Sequence, residues 1–199
     1  GLFADAFVLN PAASKETWVD CIDRMYNHPG HEQFQFIMYA GFGSALVHFF
    51  GEPTGAPISL YGGRGQGKTT ACKMALSIFG KPNRLMVSWK TGATLNAVLK
   101  SCAIMGSVPF LIDEFSNAFG NELSDALYAM GNGRDKMRSD TAGNLKMDGL
   151  TWGLTTFATT NSSLHDKVSV IKDDATAEIS RLLELHWDAA ETIEHHAML

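Results

Sequence analysis

The chain has 199 residues, 45% of them hydrophobic, and a formal net charge of −5. That length and apolar content suit one domain with a sizeable core. The negative balance argues against a surface coated with positive charge for nucleic acid, but leaves room for a local basic element.

Residues 1–57 read as a helical segment. Ser14 before Glu16 and Thr17 is a helix start, with Trp18, Cys21, Ile22 and Met25 following at i, i+3, i+4 and i+7. Asn27-His28-Pro29-Gly30 stops that helix. His28 and His31 have the spacing of a metal half-site, but no cysteine pair accompanies them and no zinc is expected there. A second helix spans about 32–50. Its uncharged run contains Gln35, Ser44, His48 and glycines. It is marginal beside the roughly 20 apolar residues that a membrane span needs, so a buried helix is expected. Cys21, Cys72 and Cys102 lie in apolar helical surroundings without CxxC spacing, as small core residues of a reducing compartment would. No secretory signal is visible and a cytoplasmic protein is expected. The missing initiator Met, and a C-terminus without an obvious stop, suggest a domain cut from something longer.

From residue 57 strands and helices alternate. Strands are expected at about 57–61, 84–88, 108–112, 154–159 and 182–185. The intervening helices bury Ala71, Met74, Ala75 and Ile78, then Leu95, Val98, Leu99 and Cys102, then Leu123, Leu127 and Met130, with a last helix near 175–180. The run Val108-Pro109-Phe110-Leu111-Ile112 is apolar throughout, as in a strand covered on both faces. The expectation is an α/β fold with a five-stranded parallel sheet between helices.

The first strand leads into Gly62-x-x-x-x-Gly67-Lys68-Thr69 and a helix, the P-loop pattern in its confirming context. Triphosphate oxygens need several donors converging on a small volume. Gly62, Gly63, Gly65 and Gly67, with Arg64 and Gln66 between them, let successive N–H groups turn inward. The helix that opens there adds the positive end of its dipole. Lys68 can reach the β and γ phosphates of ATP, the Thr69 hydroxyl can bind Mg²⁺, and Thr70 completes the turn.

Asp113 and Glu114 close the most hydrophobic strand, at the sheet edge where ligands of open α/β sheets bind. Asp113 would hold Mg²⁺ through water and Glu114 would orient and polarise the attacking water. Asn161, at the end of the fourth strand, suits either contact with a γ-phosphate oxygen or the attacking water, or an N-cap for the next helix. Arg181 suits a surface ion pair with Glu178 or Glu184, or an arginine finger reaching a neighbouring subunit, which can be worth roughly 10³–10⁵ in rate. Residues 134–152 have hairpin character around Gly143-Asn144. In a strand Arg134, Lys136 and Arg138 share one face, and Lys146 follows the turn. That face could meet phosphates, or serve as a solvated edge that protects the sheet.

Together the P-loop, the Asp113-Glu114 pair, Asn161, Arg181 and five strand positions resemble an AAA+ (ASCE P-loop) ATPase core. The hairpin is placed like the DNA-contacting hairpin of superfamily-three hexameric helicases. Residues 88–96 and 133–138 look like helicase-like ATPases of phages and mobile elements, many of them modules of primase-helicases. The resemblance spans about 58–185. It implies a domain division at 57/58, with the first helices as a packing or oligomerisation collar and 58–199 as the core. It further implies a hexameric ring on single-stranded DNA, a fused or associated primase or polymerase domain, Lys136, Arg138 and Lys146 as DNA contacts, and no membrane. Little follows the fifth strand, so the small helical lid of many AAA+ proteins is expected to be absent or minimal. Two competing functions share the ATP residues. One is a non-translocating loader or protein remodeller; the other is a small-molecule kinase, which would need a basic lid not evident after the fourth strand.

Overall fold

The computed structural model describes residues 14–51, 54–89, 93–118, 120–135, 149–172 and 174–188. Two helices come first, α1 (Lys15–Tyr26) and α2 (Glu32–Val47), followed by a single tight turn at His48–Phe50. Ser14 caps α1 by accepting from Thr17 N at 3.2 Å, as its position before an acidic first turn requires. The rest alternates: β1 (Ala56–Tyr61), α3 (Lys68–Leu76), β2 (Met86–Ser88), α4 (Leu95–Met105), β3 (Phe110–Asp113), α5 (Gly120–Asn132), β4 (Thr155–Thr160), α6 (Leu164–Ile171), α7 (Thr176–Ile179) and β5 (Leu183–His186).

The five strands form one sheet in the order β2-β3-β4-β1-β5, every pair parallel. This is a P-loop NTPase fold. Parallel strands need crossovers, and the helices that supply them cover both faces, so the central strands are apolar or β-branched. All six residues of β4, Thr-Thr-Phe-Ala-Thr-Thr, are buried. Three of its four buried hydroxyls find partners: Thr155 Oγ1 donates to Ala40 O at 3.3 Å, Thr160 Oγ1 donates to Ser162 O at 2.9 Å and Thr159 Oγ1 donates to Asp113, whereas Thr156 Oγ1 has none among the described residues.

The N-terminal helices join this core. Ser44 on α2 donates to Ser107 O and accepts from Thr155 N, both at 2.9 Å, which ties the helix to the fourth strand. Ile37 is wholly buried in the same core as Leu60, Leu111 and Phe157. The expectation of a buried α2 is corrected, however. Ile37, Met38, Gly41, Ser44 and Val47 face inward, whereas Tyr39 is 70% exposed and Phe42 and Leu46 also face out. The run is apolar all round, so periodicity could not show that only one face has a neighbour. Cys21 is likewise exposed rather than a core residue, while Cys72 and Cys102 are buried. In α3 the buried stripe is Ala71, Cys72, Ala75 and Leu76, one residue round from the expected one.

Because all strands are parallel, their carboxyl ends share one edge of the sheet, and β3, β4 and β1 are adjacent there. The loops leaving those three strands must converge, and the chain entering β5 must lie at the opposite edge. At that opposite edge the described ends of the stretch expected as a hairpin meet: Arg134 and Thr151 form an antiparallel bridge, Asp135 N donates to Leu150 O at 2.9 Å and Trp152 N to Gly133 O at 2.8 Å. Lys136, Arg138 and Lys146 lie outside the described residues. Among the described residues no helix is long and apolar enough to cross a membrane.

Candidate functional site

A cleft of about 450 Å³ opens at the carboxyl edge. The P-loop residues Arg64, Gly65, Gln66, Gly67, Lys68, Thr69 and Thr70 form one wall, and Asp113, Glu114 and Asn161 stand opposite. Gly67 sits at φ 81° immediately before α3, a left-handed conformation that costs a side chain energy and glycine none. Gly62 and Gly63 lie beneath the cleft and act through their carbonyls. Lys68, 7% exposed, donates from Nζ to Gly62 O at 2.8 Å and to Gly63 O at 2.5 Å. Burial pulls the Lys68 ammonium below the usual lysine range, against the opposing pull of the Asp113 carboxylate.

Asp113 Oδ1 accepts from the Thr69 hydroxyl at 2.8 Å and also from the Thr159 hydroxyl. Thr159 in turn accepts from Glu114 N at 3.2 Å, so one side chain of β4 positions both acids. Glu114 is the non-glycine residue with positive φ among the described residues, at 54°. Such a conformation costs about 1–3 kcal/mol and is retained where surrounding contacts fix it. Here it swings the carboxylate out of the strand direction, with Oε2 accepting from Ser88 Oγ at 3.4 Å. Thr69 and Asp113 offer hard oxygen donors side by side. That set fits Mg²⁺, which takes one or two carboxylates and fills its octahedron with waters and phosphate oxygens.

Asn161 is exposed at the mouth of the cleft. It is not the cap of the following helix: Ser163 caps α6, accepting from Asp166 N at 3.1 Å. Arg181 is absent from its own chain's cleft and lies at the opposite edge. It pairs with neither Glu178 nor Glu184. Its Nε donates to Asn132 Oδ1 at 3.0 Å, an Nη donates to Ala177 O, and the guanidinium stacks on Tyr128 with 4.8 Å to the ring centre. Glu178 is buried. Desolvation opposes its charge, yet hydrogen bonds from Lys172 (2.6 Å) and Ser124 (2.6 Å) hold it below the usual carboxylate range. Glu184 accepts from the start of α6 instead.

The sequence reading missed the segment after β5. Trp187 is fully buried, its N donates to Tyr61 O at 2.7 Å, and its indole Nε1 donates to Gln66 O at 2.8 Å. Its ring meets Phe34 of α2 edge-on at 4.7 Å. Trp187 therefore braces the P-loop from below and joins it to the N-terminal helices. The signal was a lone Trp just past the last strand, beside Asp188, which accepts from Gln66 Nε2 at 3.4 Å. His28 and His31 stack edge-on at 5.7 Å, and His28 Nε2 lies 2.7 Å from Arg24 O. Among the described residues no three His, Cys, Asp or Glu side chains cluster as a metal site.

Residues 6–148 match the model of a family described as a domain of unknown function, DUF927. The fold is similar to a solved structure titled "SCCmec type IV Cch - active helicase", with 22% identity and a TM-score of 0.61. The likeness covers 96% of this chain and 36% of that one, so the chain spans about a third of that helicase's length. NtrX from Brucella abortus, crystallised with ATP, aligns more loosely, at 12% identity and a TM-score of 0.49 over 87% of this chain and 41% of that one. No protein of curated function matches the sequence.

Proposed function

The chain belongs to the DUF927 family, and from the geometry of its cleft we propose that it is an ATP-hydrolysing motor domain of the AAA+ helicase type. The observation that carries this reading is the convergence of Lys68, the hydrogen-bonded Thr69–Asp113 pair, Glu114 and Asn161 on one cleft at the ends of β1, β3 and β4. Such a set matches phosphoryl transfer to water, where catalysis is mostly positioning and charge stabilisation.

In this reading the P-loop N–H groups and Lys68 hold the phosphates, Lys68 leaving the carbonyls of Gly62 and Gly63 for phosphate oxygens. Thr69 and Asp113 would hold Mg²⁺, which would supply positive charge against the phosphates. Glu114 takes the proton of the water whose oxygen attacks the γ-phosphorus, while the bond to the bridging oxygen breaks and ADP leaves. Asn161 offers its amide to a γ oxygen or to that water without adding charge. Arg181, at the far edge of its own subunit, completes the site of a neighbour in a ring, in our reading a hexamer. Lys136, Arg138 and Lys146, on the hairpin, would meet single-stranded DNA in the channel, where symmetry multiplies a modest basic patch. A phage or mobile-element replication role, with a primase or polymerase domain fused or associated, accords with the likeness to a longer helicase.

Mg-ATP turnover measured with and without single-stranded DNA tests this. We expect turnover that Lys68→Ala abolishes and that DNA raises several-fold. Turnover indifferent to DNA would replace the translocating motor with an ATP-driven loader or remodeller.

A further inference from the structure

Glu184 belongs to none of the roles assigned above, yet it is a carboxylate buried in the sheet, its side chain only 4% exposed. It sits on β5 opposite Ser59 of β1 and reaches the loop after β4. Its oxygens accept from Ser163 Oγ at 2.6 Å, Leu164 N at 2.6 Å and His165 N at 3.3 Å, and His165 Nδ1 lies 3.6 Å away. A buried carboxylate is costly unless its lone pairs are filled, and here donors from one short segment fill them. His165 adds a second tie through Nε2, which is 3.2 Å from the O of Leu182, the residue just before β5.

That segment, Ser163 with the first two residues of α6, closes the three-residue loop 161–163, which is also fixed by Thr160 Oγ1 on Ser162 O at 2.9 Å. Asn161 opens this held loop and lines the cleft. The loop has no buried side chain of its own to hold it: Asn161 and Ser162 are exposed. Its position against the phosphate-binding wall is therefore set by polar contacts, and the three at its α6 end, from Ser163, Leu164 and His165, meet on one carboxylate.

We propose that Glu184 is a positioning residue, holding the Asn161 loop from β5 at the distance from the P-loop that γ-phosphate contact requires. This deepens the ATPase reading and rests on it. Glu184→Gln keeps the size of the side chain but replaces one acceptor with an NH₂ that faces N–H donors, so a contact at Leu164 or His165 is lost. A displacement of about 1 Å in a positioning group can cost as much as 10²-fold in rate.

The test is a double-mutant comparison of Mg-ATP turnover in Glu184→Gln, Asn161→Ala and the combination, with nucleotide affinity measured alongside. We expect Glu184→Gln to lower kcat about ten- to a hundredfold with affinity within threefold, and to add nothing in the Asn161→Ala background. Amide hydrogen exchange at residues 161–165, with a non-hydrolysable ATP analogue bound, should quicken in Glu184→Gln while the P-loop peptide stays unchanged. If Glu184→Gln does not fold, Ser163→Ala, which removes one partner of Glu184 together with the cap of α6, should lower turnover with the same non-additivity. Wild-type turnover in Glu184→Gln, or losses that multiply with those of Asn161→Ala, would overturn the proposal. Wild-type turnover in Asn161→Ala would overturn it together with the role of Asn161, whereas loss of activity in Lys68→Ala would still uphold the ATPase reading.

Discussion

The side chain of Arg181 lies directly across Gly131: a Cβ at Gly131 would stand 2.7 Å from Arg181 Cβ and 2.8 Å from Cδ. The same guanidinium is fixed by Asn132 and Tyr128, so α5 presents the arginine at the edge remote from its own cleft. Two residues beyond Gly131, Gly133 accepts from Trp152 beside the Arg134–Thr151 bridge. Arg181 and the Arg134–Thr151 bridge thus spring from one closely packed junction.

Gly131→Ala should displace Arg181 without touching the P-loop. We expect ATP affinity to stay near wild type while turnover falls toward that of Arg181→Ala. Mixing Arg181→Ala with Lys68→Ala subunits, once subunit exchange is demonstrated, should restore some turnover, because some interfaces then join an intact P-loop to an intact arginine. Normal turnover in Arg181→Ala, or no recovery despite exchange, rules out the trans role.

For the hairpin, the expected contacts are phosphates rather than base edges, since a motor must pass over any sequence. Replacing Lys136 and Lys146 by Ala should weaken single-strand binding equally across sequences. It should also flatten the log–log salt dependence by roughly 0.7 per lost contact. Unchanged affinity and slope would take the hairpin off the DNA path.

Trp187 separates packing from hydrogen bonding at the P-loop. Trp187→Ala removes a fully buried indole, and we expect a loss of about 3–5 kcal/mol in unfolding free energy by chemical denaturation. Trp187→Phe keeps most of the bulk but drops the donor to Gln66 O. It should weaken nucleotide binding several-fold with a much smaller change in stability. Equal losses in both variants would mean that the indole N–H does nothing for the phosphate grip.

The cysteines divide by burial. Burial pushes the Cys102 thiol up to about 12 and raises that of Cys72 further, whereas Cys21 is exposed. Because the thiolate is the reactive form, a thiol reagent at neutral pH should label Cys21 alone in the native chain and all three in denaturant. Rapid labelling of Cys72 or Cys102 under native conditions would show that the core opens readily.

The sheet was legible because its strands are short apolar or β-branched runs between glycine and proline signals, and because the P-loop sets the start of the pattern. The cleft was legible for the same reason. In a parallel sheet, residues just after strands must share an edge, so Gly67, Lys68, Asp113 and Asn161 could be brought together from their order in the chain. The features that stayed hidden depend on partners far apart in sequence. Nothing local marks Thr159 as the hydroxyl between two acids, Glu184 as the anchor of a loop 21 residues earlier, or Trp187 as a brace 121 residues from Gln66. The outward face of α2 was hidden differently, since its run is hydrophobic on every side.

The central claim is that Glu114 activates the water in a site built by Lys68, Thr69 and Asp113. The most direct measurement is nucleotide binding and single-turnover hydrolysis of Mg-ATP by Glu114→Gln beside the wild-type chain. The substitution leaves the shape of the cleft and the Thr69–Asp113 pair in place but removes the proton acceptor. We expect ATP bound with wild-type affinity and turnover reduced by at least about 10². Hydrolysis by Glu114→Gln at the wild-type rate would contradict the account.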